Sequence, residues 1–264
     1  MQNYKEIAKL FEENSKEIDF FQNSNISSIA KDLKTVFDND VKQLLFLIGE
    51  PGVGKSAFLN NFENIFGESY KYIKFDMPFF EPVDFVKTLI DKRGVEVESY
   101  SLEKLVKQVT QLYKEDNYII LIDEAQLLTK EMIELIRILA DSKSFWFLLA
   151  MHKHESKKIL DEPQFASRPH KVLELGKLKK EEYKEYIYNE LLKVKKPHFA
   201  EELSKKYLSM LYKFSDGNFR DLKKLLFYLF VLLQHAQEQN KPKYQKLSKC
   251  LVTMAAIEGG LIDV

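Results

Sequence analysis

Gly49-Glu50-Pro51-Gly52-Val53-Gly54-Lys55-Ser56 is the stretch whose residue types and spacing point most directly to chemistry. It reads G-x-x-x-x-G-K-[ST], behind the apolar run Leu44 to Ile48 and ahead of a helix-like segment opening at Ala57. Strand, glycine-rich turn and helix N-terminus are the context this motif requires. The glycines let successive backbone N–H groups curl around the β- and γ-phosphates of a nucleotide. The helix start adds its positive dipole end and its unpaired donors. Phosphate contact is therefore expected from Gly49 through Ala57. Lys55 would lie along the phosphates as a point charge, and the Ser56 hydroxyl would hold Mg²⁺.

A second constellation follows a second apolar run, Tyr118 to Ile122, which ends in Asp123-Glu124-Ala125-Gln126. Acids at the C-terminal end of a buried strand, in the same domain as a phosphate loop, form the Walker B arrangement. Asp123 is expected in the Mg²⁺ shell and Glu124 beside the attacking water. The competing reading, acids that merely open the next helix, does not account for the phosphate loop. Two tandem acids point to hydrolysis, because a pure sensor needs the metal ligand but not the base. Guanine is disfavoured. The box is D-E-A-Q and not D-x-x-G, and Asn240-Lys241-Pro242-Lys243 lacks the aspartate of N-K-x-D. Adenine is the expected base, and ATP/ADP with Mg²⁺ the expected ligand set.

These residues need a sheet to hold them. Apolar runs predict strands at 42–48, 70–75, 118–122, 145–150 and 172–175. Helical spacing predicts helices from Ala57 to Phe66, where Gly67 stops the helix, and over 83–92, 102–112 and 130–140. Ahead of the first strand, residues 1–21 and the Ile26 to Phe37 stretch read as helices, with Asn25 or Ser27 as a cap for the latter. Phe79-Phe80, between prolines, is expected to pack as a loop against the sheet. Strand–helix alternation over 42–175 predicts an open, mostly parallel α/β sheet with helices on both faces. From 179 to 258 only helical periods occur, broken at Pro197, Gly217 and Pro242. The expected organisation is N-terminal helices over 1–40, a nucleotide-binding α/β domain over 41–176 and a helical lid over 177–264.

The pairing of G-E-P-G-V-G-K-S with a D-E-A-Q box resembles the AAA+ ATPases, and is most similar to the ExeA/GspA-type secretion ATPases. Transposition ATPases of the TniB and MuB kind and origin-recognition ATPases are further relatives. The resemblance runs from about residue 40 to 262. It implies a P-loop NTPase of the ASCE type, with a five-stranded parallel sheet in order 5-1-4-3-2 followed by a small all-helical lid. Phe165-Ala166-Ser167-Arg168-Pro169 is similar to the family segment carrying the arginine finger, so the resemblance places Arg168 on the γ-phosphate held by a neighbouring subunit. Ser215-Asp216-Gly217-Asn218-Phe219-Arg220 resembles the lid motif S-G-G-x-P-R, with Arg220 as the sensor that ties the lid helix to ATP. The family's polar sensor after the fourth strand falls here on Met151 or His152, and His152 is a candidate to orient the water. His152-x-His154 also has the spacing of a metal half-site, but no cysteine or third ligand stands nearby.

The 264 residues are 45% hydrophobic and 30% charged, which suits a folded chain of one or two domains. Forty Lys/Arg balance forty Asp/Glu, which excludes a generally basic nucleic-acid coat. The balance is uneven, however. Residues 171–264 carry 18 basic against 12 acidic side chains, a net of +6, and 1–170 carry the compensating −6. The Lys177-Lys179-Lys180, Lys193-Lys195-Lys196, Lys205-Lys206 and Lys223-Lys224 groups are solvated faces or a surface for something anionic such as DNA. A single cysteine, Cys250, cannot form an internal disulfide. With no apolar leader at Met1–Glu6, this points to a cytoplasmic protein, peripheral to a membrane only through a partner. The resulting expectation is an Mg²⁺-dependent ATPase that self-associates when ATP-bound and serves a secretion or DNA-uptake machine. The alternative is an ATP-switched DNA-binding adaptor with slow turnover.

Overall fold

The computed structural model describes residues 3–12, 20–161 and 170–263. By contacts the chain divides into two compact units, Ser24–Pro51 with Lys55–Leu175, and Met1–Asn23 with Gly52–Gly54 and Gly176–Val264. The 1–40 segment grouped by sequence is thus shared: residues 1–23 go with the C-terminal helices and 24–40 with the sheet.

The chain begins with α1 (Tyr4–Lys9), capped by Asn3, whose side chain accepts the Glu6 N–H at 3.3 Å. Phe20 and Phe21, at the end of the helix expected over 1–21, are not helical, and residues 13–19 of that stretch lie outside the described residues.

The α/β unit opens with α2 (Ser24–Asn39), which starts at Ser24, upstream of the caps proposed at Asn25 and Ser27. Five strands follow: β1 (Leu44–Gly49), β2 (Lys71–Phe75), β3 (Tyr118–Ile122), β4 (Phe145–His152) and β5 (His170–Glu174). Every pair is parallel and the order is β2-β3-β4-β1-β5. This is the order that the resemblance implied. All six residues of β1 and the first seven of β4 are buried. That is why the central strands read as unbroken apolar runs, since helices cover both faces.

Behind the phosphate loop come α3 (Lys55–Asn60) and α4 (Phe62–Phe66), separated at Asn61. One helix to Phe66 was expected. Asn61 leaves helical geometry at φ −103° and ψ 20°, while its side-chain amide donates to the Ala57 carbonyl at 2.9 Å. The Asn61 N–H also donates to the Ala57 carbonyl at 3.1 Å, so the hydrogen-bond ladder runs on while the backbone angles leave the helix. α5 (Pro82–Asp91) has proline in its first turn, where a missing N–H costs nothing. It is followed by α6 (Leu102–Tyr113). α7 (Lys130–Asp141) is capped by Thr129, which accepts the Met132 N–H at 3.2 Å, and α8 (Lys153–Leu160) follows β4. Phe46, Phe85, Val109, Ile120, Leu135 and Phe147 meet in one core. The aromatic pair of the β2–α5 loop behaves unequally. Phe79 packs edge-on to Phe75 at 5.2 Å, while Phe80 is 64% exposed, so only the first ring meets the packing expectation.

The helical unit contains α1, α9 (Lys180–Lys193), α10 (Pro197–Glu202), a π turn over Leu203–Tyr207, α11 (Leu208–Ser215), α12 (Phe219–Glu238) and α13 (Lys249–Glu258). α12 is its axis, burying Leu222, Leu225, Leu229 and Leu233 on one stripe at helical spacing. Phe11 stacks on Phe230 with ring centroids 5.9 Å apart, and Tyr4 meets Phe199 edge-on at 5.9 Å. Among the described residues no helix is long and apolar enough to cross a membrane.

Candidate nucleotide site

β1, β4 and β3 are neighbours, and because they are parallel their C-terminal ends lie on one edge of the sheet. The phosphate loop leaves the end of β1, and Asp123-Glu124 leave the end of β3. Only β4 stands between them, so the two constellations start about 10 Å apart, two strand spacings. The crevice beyond the carboxyl ends of the strands, beside a strand-order reversal, is where open α/β sheets take ligands.

Lys55 opens α3 and is only 6% exposed. Its ammonium donates to the carbonyls of Gly49 and Glu50, each at 3.0 Å, so the charge is folded back over the loop. These two bonds offset the cost of burying a lysine. Ser56, in the first turn of α3, is exposed, and Gly49 and Val53 are buried. Gly52 and Gly54 have φ of +82° and +107°, backbone states that side chains other than glycine rarely adopt.

Asp123 is 7% exposed and anchored at both ends. Its N–H donates to the Phe75 carbonyl of β2 at 3.1 Å, and its carboxylate accepts the Glu124 N–H at 2.9 Å. Glu124 adopts the left-handed conformation at φ 50° and ψ 37°, before a single 3₁₀ turn at Ala125–Leu127. For a residue with a Cβ this costs roughly 1–3 kcal/mol, a kind of strain that concentrates at functional sites.

The residues expected to surround the acids are distributed unevenly. β4 runs two residues beyond its expected end at Ala150, which makes His152 the final strand residue and the register partner of Gly49. Its Nε2 lies 3.7 Å from Glu124 Oε2 and its Nδ1 3.8 Å from Glu155 Oε2. Met151, the other position considered for the polar sensor, is fully buried in the core. Arg168 lies outside the described residues. In the helical unit Arg220 is exposed in the first turn of α12. Its backbone N–H donates to the Asn218 side chain at 3.0 Å and to the Gly52 carbonyl at 3.1 Å. Gln126, the last residue of the acidic box, joins the site as well. Its amide donates to Glu124 Oε2 and accepts the His152 N–H at 3.4 Å. A polar side chain two residues after the acid was the only available signal for it.

The donor set bears on a metal. Among the described residues no cluster of three His, Cys, Asp or Glu side chains is placed to bind an ion. Ser56 and Asp123 offer a hydroxyl and a carboxylate, hard oxygen donors. They suit a cation such as Mg²⁺, which takes one or two protein ligands and completes its shell with water and phosphate oxygens.

The sheet order, the loop after β1 and the helical C-terminal part define the class: the chain has the AAA+ P-loop fold. Residues 38–160 match the family model described as "AAA domain". Among solved structures, the ORC2 protein of Aeropyrum pernix in ADPNP–ADP complexes is similar at a TM-score of 0.63. Its identity is 17%, over 97% of this chain and 72% of that one. The Aeropyrum pernix ORC1 protein in complex with DNA gives 0.60 at 14% identity, over 98% and 71%. A Walker-type ATPase of Pyrococcus abyssi gives 0.59 at 17% identity, over 89% and 78%. No curated protein matches the chain.

Proposed function

We propose that this chain binds ATP with Mg²⁺ and hydrolyses its γ-phosphate, converting ATP and water to ADP and phosphate. The observation that carries the reading is the placement of Lys55 and the Asp123-Glu124 pair at the C-terminal edge of β1 and β3, with one strand between them. In this reading the segment Gly49 through Ala57, by its backbone N–H groups other than at Pro51, which has none, and the Lys55 ammonium hold the phosphates. Ser56 and Asp123 hold Mg²⁺, which when bound neutralises the charge building on the phosphates. Glu124 takes up a proton of the attacking water, and His152, next to it, helps to orient that water. Arg168 completes the site of a neighbouring subunit, and Arg220 reports the nucleotide to the helical unit. Energy from turnover then drives or switches the assembly of a larger machine, which the resemblance to ExeA/GspA-type proteins suggests is one for secretion or DNA uptake.

A second reading, an ATP-switched DNA-binding adaptor with slow turnover, is favoured by the net +6 of residues 171–264 and by the fold shared with an ORC1 protein solved on DNA. Steady-state phosphate release by the wild type, with and without duplex DNA and across a salt series, tests both. Turnover that ignores DNA supports the first. Stimulation by DNA that fades steeply with salt supports the second, because displaced counterions set the salt slope. Absence of ATP binding with Mg²⁺ present would overturn both.

A further inference from the structure

Gln126 bridges two elements of the α/β unit. It sits in the 3₁₀ turn after β3, with its Oε1 accepting the backbone N–H of His152 at 3.4 Å and its Nε2 donating to Glu124 Oε2. The orientation of the amide follows from chemistry. The His152 N–H can only donate, so an oxygen must face it, and the amide nitrogen is then turned to the carboxylate. His152 itself is placed differently. Its ring nitrogens stand 3.7 and 3.8 Å from the two carboxylates, beyond hydrogen-bond distance, so the imidazole is a neighbour of Glu124 and does not tether it.

We infer that Gln126 is the positioning residue for Glu124, pinning its carboxylate to the end of β4 beside the register partner of the phosphate loop's first glycine. The inference rests on the ATPase reading and names the residue that makes the base of that site effective. A glutamate side chain has three rotatable bonds, so its carboxylate needs a partner to hold one orientation. One donor on Oε2 selects a single orientation and leaves Oε1 to take the proton of the water. Gln126 acts through its bond to Glu124, so its loss should act on the rate of the chemical step and leave binding alone.

Two variants of the full chain separate positioning from packing. Gln126→Met keeps length and volume but removes both hydrogen bonds. Gln126→Glu is nearly isosteric and still accepts the His152 N–H, yet it cannot donate to Glu124 and adds a like charge. Circular dichroism confirms folding, equilibrium titration gives ATP affinity, and steady-state phosphate release gives kcat and KM. The expected result is a kcat lowered about 10–100-fold, more in Gln126→Glu than in Gln126→Met, with KM and affinity within about twofold of wild type. A merely structural role predicts the reverse order, because the isosteric, hydrogen-bonded Glu would be the milder change. If Gln126→Glu turns over as fast as wild type, or if affinity falls together with kcat, the inference is overturned while the ATPase reading stands. A wild-type chain that binds ATP and Mg²⁺ without turning it over overturns both.

Discussion

Gly49 and His152 are register partners at the ends of β1 and β4. The phosphate loop and the side chains around Glu124 therefore start from adjacent positions on one rigid edge, with no long loop between them. A site whose parts leave neighbouring parallel strands inherits the precision of the sheet, as the proposed chemistry requires.

Lys55 gives the first test. Its buried ammonium bonds two loop carbonyls, so its removal takes away both the charge meant for the phosphates and the brace across the loop. Lys55→Ala is expected to weaken ATP binding about 100-fold or more, as measured by equilibrium titration with Mg²⁺ present. Unchanged affinity would remove the loop from the account.

Gly217 tests the helical unit separately from chemistry. Its φ is +76°, and a Cβ there would approach the Lys177 Cβ to 2.9 Å and the Leu178 carbonyl to 3.1 Å. Its own carbonyl accepts the Leu178 N–H at 2.8 Å. Gly217→Ala combines an unfavourable backbone state with a backbone clash and should cost about 1–3 kcal/mol, a fall of several degrees in Tm. A melt indistinguishable from wild type would contradict this geometry.

Arg220 should behave as a sensor of the nucleotide. The α12 cap is made by the Asn218 side chain, which accepts the Arg220 and Asp221 N–H groups at 3.0 and 3.3 Å, and both bonds survive truncation of the arginine. Arg220→Ala should stay folded by circular dichroism while turnover falls about tenfold or more. A variant with wild-type kinetics would leave Arg220 as an ordinary surface residue.

Arg168 makes a prediction of a different kind, because its proposed partner is in another subunit. Arg168→Ala should slow hydrolysis only where the wild type self-associates, by a factor on the order of 10³. Assays across a dilution series, with sedimentation in parallel, check this. A strictly monomeric wild type that matches the variant in rate would end the finger role.

Local patterns made the main parts of the fold legible. The loop 49–56 is a contiguous motif, and the central strands are continuous apolar runs because both of their faces are covered. Strand order came from the resemblance, since apolar runs do not say which strands pair. Most of the misses share a cause, contacts between residues far apart in the chain. The place of residues 1–23 in the helical unit rests on pairs such as Phe11–Phe230 and Tyr4–Phe199, which no local window contains. The two extra residues of β4 are held by pairing to Ile48 and Gly49 of β1. The break at Asn61 is instead a local departure in backbone angles, φ −103° and ψ 20°, that helical spacing of apolar residues does not specify. Gln126 passed without a role because its importance lies in a bond across to β4, which appears only once β3 and β4 are side by side.

Glu124 is where the account is tested most directly, by phosphate release from the Glu124→Gln chain measured alongside its ATP affinity. Glutamine keeps the size of the side chain but cannot take a proton from water. Affinity should stay within about twofold of wild type while turnover drops about 10²–10⁴-fold. Turnover equal to wild type would contradict the assignment of Glu124 as the base and, with it, the reading of this edge of the sheet as a hydrolytic site.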